Sequence, residues 1–174
     1  MLYITLLRGI NVGGKNKLPM VDLRALCEQL GWQQVQSYIQ SGNVKFELQE
    51  AANAALDLSV AIKEKYNYKV PVLVRPQTYF QEALKNPFLE GDGAIDPKML
   101  HVTFLEQAPL ATQVNALQHK DHKGDQWKII DDRVYLYCVN GYGRTKLTNQ
   151  YLEKQLGQVA TTRNWRTVNK LAHW

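Results

Sequence analysis

A hairpin signal set between two helical stretches restricts the fold more than any other feature of the chain. Val35–Ile39 and Val44–Leu48 read as strands joined at Gln40-Ser41-Gly42-Asn43. Upstream, Leu2–Arg8 is a short, mostly apolar run of the kind that forms a buried strand. Gly9–Lys17, GINVGGKNK, is a loop by composition. Pro19–Leu30 then reads as a helix: Pro19 suits the first helical position, Asp22 favours the positive end of the dipole, and Gly31 can take a left-handed cap. Met20, Leu23, Cys27 and Leu30 share one apolar face, which makes Cys27 a core residue before a reactive one. Downstream, Ala51–Tyr66 reads as a helix and Tyr68–Arg75 as a strand, where Pro71 argues for an edge or a bulge. This order, βαββαβ, is the pattern of a ferredoxin-like sandwich in an α+β chain.

Beyond it, Pro76–Pro97 reads as a connector with a short helix at Phe80–Leu84 and the turn-rich stretch NPFLEGDGAIDP. The pattern then partly restarts. Met99–Leu105 is a strand, Leu110–Gln118 a helix, and Trp127–Ile130 with Val134–Val139 a hairpin turning at Asp131-Asp132-Arg133. Thr148–Leu156 and Arg163–Ala172 read as helices, with Thr161 and Thr162 as N-caps of the second. The expectation is a ferredoxin-like subdomain over 1–76, a connector over 77–97, and a second subdomain over 98–174. That second subdomain reads as a degenerate β-α-β-β-α unit whose fourth strand is replaced by the C-terminal helix. A length of 174 residues suits one domain or two small ones.

Composition enters through charge. Apolar residues make up 45% of the chain, enough for a packed core, which excludes disorder as the main state. No apolar run approaches the roughly 18 residues that span a bilayer, and MLYITLLRGI reads as a strand, not a signal peptide. Two cysteines make no disulfide framework. The expectation is therefore a bacterial, cytoplasmic protein with no membrane partner. The formal net charge is +5, and all of it is C-terminal: from residue 140 onward Arg144, Lys146, Lys154, Arg163, Arg166 and Lys170 face Glu153 alone. A localised field of this kind says more about a partner than a diffuse one.

Three segments concentrate glycine, asparagine and base: 8–17, 40–43 and 140–146. In a βαββαβ unit the first two strands run parallel with the third between them, so the loop after strand one and the turn after strand two are neighbours. Arg8, Asn11, Lys15, Asn16, Ser41 and Asn43 then cluster beside the N-terminus of the first helix, where free N–H groups and the dipole favour an anion. The bland reading is that glycines and asparagines only shape the turns. Gly9-x4-Gly14-Lys15 nearly spells a P-loop, but Asn16 stands where Ser or Thr would hold Mg²⁺, and the sheet order is wrong for nucleotide hydrolysis. At 100° per residue the last helix packs Trp165, Val168, Leu171 and Ala172 on one side and presents Arg163, Arg166 and Lys170 on the other. His119 and His122 have no partner at ligand spacing, so they read as a polar loop; no metal site and no cofactor are expected. No nucleophile elbow and no RNA-recognition aromatic pattern occur.

The blocks LLRGINVGGKNKLPM, YIQSGNVKF, NPF, NGYGRTKL and TTRNWRTVNKL, in that order, resemble the bacterial domain-of-unknown-function family 1697 over essentially the whole chain. The resemblance implies a two-part α/β protein with a ferredoxin-like half, and implies no activity. It marks Arg8, Asn11, Gly13, Gly14, Asn16, Ser41, Gly42, Asn43, Gly143, Arg144, Lys146, Arg163, Asn164, Trp165 and Lys170. Thr145 stands where the family often has Ser, which keeps a hydroxyl, and Cys138 lies where family members often have a nearby proline.

The functional expectation is binding of an anionic, phosphate-containing partner, a nucleotide or nucleic acid. Arg8, Lys15, Arg144, Lys146, Arg163 and Lys170 would contact anions, while Asn11, Gly13, Gly14, Asn16, Ser41 and Asn43 shape and orient the site. The rival is an enzyme acting on a small anionic metabolite, for which Ser41 or Thr145 would need an activating base. A deep, closed pocket favours the rival and an open basic groove favours nucleic acid. The oligomeric state is left open.

Overall fold

The computed structural model describes residues 1–90 and 95–174. The turn-rich stretch expected over 86–97 therefore lies partly outside the described residues. The chain divides into two compact units, Met1–Tyr79 with Trp174, and Phe80–His173.

Unit 1 contains β1 (Leu2–Leu7), α1 (Met20–Gln29), β2 (Gln33–Tyr38), β3 (Asn43–Glu47), α2 (Ala54–Tyr66) and β4 (Val72–Pro76), and α3 (Gln77–Glu82) begins in it. Its sheet runs β2-β3-β1-β4 with every neighbouring pair antiparallel. This is the ferredoxin-like order. The buried face of β1 and β3 receives Leu23, Leu26 and Cys27 from α1 and Leu58 and Ile62 from α2, with Trp32 stacked on Phe46 at 3.8 Å between centroids. Burial pushes the Cys27 thiol up to about 12, so it packs as a small apolar group. Pro71 immediately precedes the edge strand β4, and its carbonyl accepts the Arg8 N–H at 3.0 Å.

Unit 2 repeats the order. A 3-10 turn (Pro97–Met99) leads into β5 (Leu100–Leu105), followed by α4 (Ala111–Gln118), β6 (Gln126–Ile130), β7 (Arg133–Tyr137), α5 (Asn149–Leu156), β8 (Ala160–Asn164) and α6 (Trp165–Ala172). The sheet runs β6-β7-β5-β8, again antiparallel throughout. The expected degeneracy is corrected here: the fourth strand is present as β8, and α6 follows it instead of replacing it. Thr161 and Thr162, expected as helix caps, are strand residues, and Thr162 Oγ1 meets Thr103 Oγ1 across the β5–β8 pair at 2.6 Å. Asn164 caps α6 by accepting the Thr167 N–H at 2.8 Å. β-branched threonines that hydrogen-bond across the sheet favour extension, and this overrides the helical spacing that begins two residues later.

Candidate anion-binding site

The topology places the β1–α1 loop beside the β2–β3 turn, and asparagine side chains join the two. Asn11 Nδ2 donates to the carbonyls of Leu18 and Gln40, both at 2.9 Å, while Asn11 Oδ1 accepts the Leu18 N–H at 2.8 Å. Asn16 Nδ2 donates to the Gly9 carbonyl at 3.0 Å, closing the loop on its own start. Both residues have positive φ, +55° and +47°, a conformation that asparagine tolerates. In the turn, Asn43 Nδ2 donates to the Tyr38 carbonyl and to Ser41 Oγ, each at 3.0 Å. Gly42 is required by space as well as by its φ of +77°: a Cβ there would lie 2.7 Å from Leu7 Cβ and 2.8 Å from Ile10 Cδ1. Its carbonyl accepts the Leu7 N–H at 2.8 Å, so the turn sits against the end of β1.

Between loop, turn and helix lies a cleft of about 470 Å³ lined by Asn11, Gly14, Lys17, Leu18, Pro19, Met20 and Gln40. It opens at the N-terminus of α1, which no side chain caps, so the first-turn amides present partial positive charge there. Gly14 and Lys17 line it and are exposed, Gly13 and Lys15 are exposed in the same loop, and Arg8 at the end of β1 is half-buried. The P-loop reading fails on geometry: α1 begins at Met20, and the bridge between Val12 and Lys15 turns the chain before the helix starts.

In unit 2 the expected residues have different fates. Asp125 holds the β7–α5 connection from below, accepting the Val139 N–H at 3.0 Å on Oδ1 and the Thr145 hydroxyl at 2.5 Å on Oδ2. Thr145 Oγ1 in turn accepts the Leu147 N–H at 3.0 Å, so this hydroxyl is a strut. Arg144 stands exposed on the surface of that loop, and Lys146 Nζ donates to the Asp121 carbonyl at 3.3 Å. Arg163 corrects the sequence reading. It lies in β8 and not on the last helix, it is buried, its Nη1 donates to the Thr162 carbonyl at 3.0 Å, and burial lowers it to about 10 against the opposing effect of Tyr142. Lys170 and Arg166 are exposed on α6 opposite the buried Trp165, Val168, Leu171 and Ala172, as the helical angle predicts.

His122, expected in a polar loop, is buried with Nε2 3.2 Å from the Tyr151 hydroxyl, and desolvation lowers its pKa. Burial also raises the Cys138 thiol to about 11. Among the described residues, no three His, Cys, Asp or Glu side chains come together to hold a metal ion. Asp125 escaped the sequence reading: nothing in HKGDQW marks an aspartate that holds a loop beyond the next hairpin.

The sequence profile of a family described as Protein of unknown function (DUF1697) matches residues 1–135. The chain belongs to this family. The matched part contains the β1–α1 loop and the β2–β3 turn and ends before Arg144, Lys146, Arg163 and Lys170. The chain is also similar to a solved structure described as the conserved bacterial protein SP0830 from Streptococcus pneumoniae, with TM-score 0.75 and 24% identity. That alignment covers 99% of this chain and 97% of the other, a likeness of fold. A search of curated proteins finds no match. Among the described residues of this DUF1697 member, no helix is long and apolar enough to cross a membrane.

Proposed function

We propose that this DUF1697 protein binds an anionic, phosphate-containing ligand, a nucleotide or a stretch of nucleic acid, and that the β1–α1 loop carries the primary contact. The observation behind the reading is the cleft of about 470 Å³ at the uncapped N-terminus of α1, with Lys17 in its wall and Lys15 exposed in the same loop. Backbone N–H groups at a helix start and exposed ammonium groups are the donors that phosphate oxygens use. Arg8, where the loop leaves β1, is a further cation of this segment. In unit 2, Arg144, Lys146 and Lys170 are exposed bases of the segment that carries the net charge, and they would contact phosphates there independently of the unit 1 cleft. The neutral asparagines and Gly42 serve the site by fixing the loop.

Fluorescence anisotropy against labelled RNA, DNA and nucleotides at low and high salt tests the reading. Binding that weakens steeply with salt, and weakens again in the Lys15→Ala and Lys17→Ala variants, supports it. Absence of affinity at low salt for all three ligands overturns it.

A further inference from the structure

Residues 121–125 tie the unit 2 loop to the rest of that unit. Asp125 accepts the Val139 N–H at 3.0 Å and the Thr145 hydroxyl, and Lys146 Nζ donates to the Asp121 carbonyl at 3.3 Å. His122 Nε2 lies 3.2 Å from the Tyr151 hydroxyl on α5. One turn therefore reaches both the 138–148 connection and the helix that follows it. The turn is closed by the Asp125 N–H on the His122 carbonyl at 3.2 Å, with Lys123 at φ +56° and Gly124 at φ +85°. The left-handed form strains lysine as it does not strain glycine, so the turn relies on the contacts it makes outside itself.

Within 121–125 His122 alone is buried. Its ring stands edge-on to Trp127 of β6 and Tyr151 of α5, with centroids 6.5 and 5.8 Å apart. The charged and titratable groups around it are Asp121 and Asp125 of its own turn, Lys146 of the loop and the Tyr151 phenol, while β6 presents the uncharged Trp127. An imidazole packed against two aromatic rings is poorly hydrated, and its protonated form loses more solvation there than the neutral ring does. Desolvation is the leading effect and lowers the pKa, opposed by Asp121 and Asp125 and joined by Lys146. The closed turn is thus favoured above about pH 6.5 and loses that advantage as pH falls through the lowered value, because a proton favours any state in which the ring is in water.

We propose that His122 is a proton-sensitive latch: on protonation, residues 121–125 detach from α5, release Val139, Thr145 and Lys146 together, and leave the 138–148 loop mobile on unit 2. The coupling is geometric. Moving His122 off Tyr151 moves Asp125, whose N–H is bonded to the His122 carbonyl and whose carboxylate holds the loop. The unit 1 loop has no such device in its fastenings, which are the uncharged amides of Asn11 and Asn16. Where Arg144 and Lys146 contact phosphates, release alters that contact. The loop itself is the readout below, so the latch is decided without reference to ligand binding.

Protection of backbone amides against hydrogen exchange in the full chain, measured at about pH 7.5 and about pH 5.5 and normalised to free-peptide rates at each pH, tests the latch. This window lies above the ordinary carboxylate range, so histidines are the side chains that titrate within it. Protection at Val139 and Leu147 is expected to fall about threefold or more on acidification, while that at Leu18, bonded to the neutral Asn11, stays constant. His122→Phe removes the titration and makes the loop amides indifferent to pH, whereas His119→Gln, an exposed substitution nearby, keeps the fall. The His122 ring, followed by ¹H–¹³C correlation spectra, titrates in step with the Val139 and Leu147 amide shifts, a readout that stands even where the phenylalanine variant fails to fold. Unchanged protection in the wild-type chain overturns the proposal, as does a fall that persists in folded His122→Phe. Ring and loop midpoints that differ by more than about half a pH unit overturn it too.

Discussion

The two units share one strand order, β2-β3-β1-β4 and β6-β7-β5-β8, but they place their irregular chain at different connections. Unit 1 has a long loop after its first strand, residues 8–19, whereas unit 2 passes from β5 to α4 through residues 106–110 alone. Unit 2 instead extends the connection after its third strand, residues 138–148. The means of fixing also differ. Neutral asparagine amides and Gly42 hold the unit 1 loop, while a carboxylate, Asp125, holds the unit 2 loop through Val139 and Thr145. Lys15 and Lys17 are exposed on the first loop and Arg144 on the second, and none of their side chains is part of these networks. The lesson is that topology decides which connections meet, hydrogen-bonded side chains set their shape, and the exposed Lys15, Lys17 and Arg144 take no part in those networks.

Substitutions at the residues that fix each loop separate the two means of support. Gly42→Ala has the largest expected effect, because it combines a left-handed φ with contacts under 3 Å to Leu7 and Ile10. A loss of about 2–5 kcal/mol in chemical denaturation is expected from strain plus overpacking, and a loss under about 1 kcal/mol would show that the turn does not need its glycine. Asp125→Ala should cost about 2–3 kcal/mol, since it removes two hydrogen bonds to a charged acceptor. Asp125→Asn should recover part of that loss, which distinguishes hydrogen bonding from packing. Asn11→Ala follows at about 1–3 kcal/mol, with amide hydrogen exchange at Leu18 accelerating as its acceptor disappears.

Acidification gives a smaller effect with a definite sign. Burial lowers the pKa of both His101 and His122 below the ordinary 6.5, so the unfolded chain binds protons that the folded chain refuses. Stability from these groups is complete above about pH 6.5 and is lost as pH falls from there through the folded values. Thermal melts should shift downward over this window, and less so in His101→Phe; an unchanged difference between the two proteins would remove His101 from the account. Lys15→Ala should change stability least, within about 0.5 kcal/mol.

Much of unit 1 was legible because its signals agree at every level. The apolar face of α1, the hairpin at Gln40–Asn43 and the edge position implied by Pro71 all led to the observed sheet, and the meeting of loop and turn followed from strand direction alone. The part played by the asparagines was less legible: Asn11 reaches Leu18 and Gln40 through three hydrogen bonds that composition cannot distinguish from ligand contacts. In unit 2, β8 was hidden because Ala160-Thr161-Thr162 is short and only modestly apolar, and helical periodicity beginning nearby absorbed Arg163.

One paired measurement on Lys17→Ala decides whether hydrogen-bonded loops present cations that serve binding and not stability. Its melting temperature and its anisotropy-derived Kd for a labelled oligonucleotide at low salt would be compared with those of the wild-type chain. The account predicts an unchanged melting temperature and a Kd several-fold weaker, with a reduced dependence on salt. An unchanged Kd, or a loss of stability that accounts for the loss of binding, would contradict it.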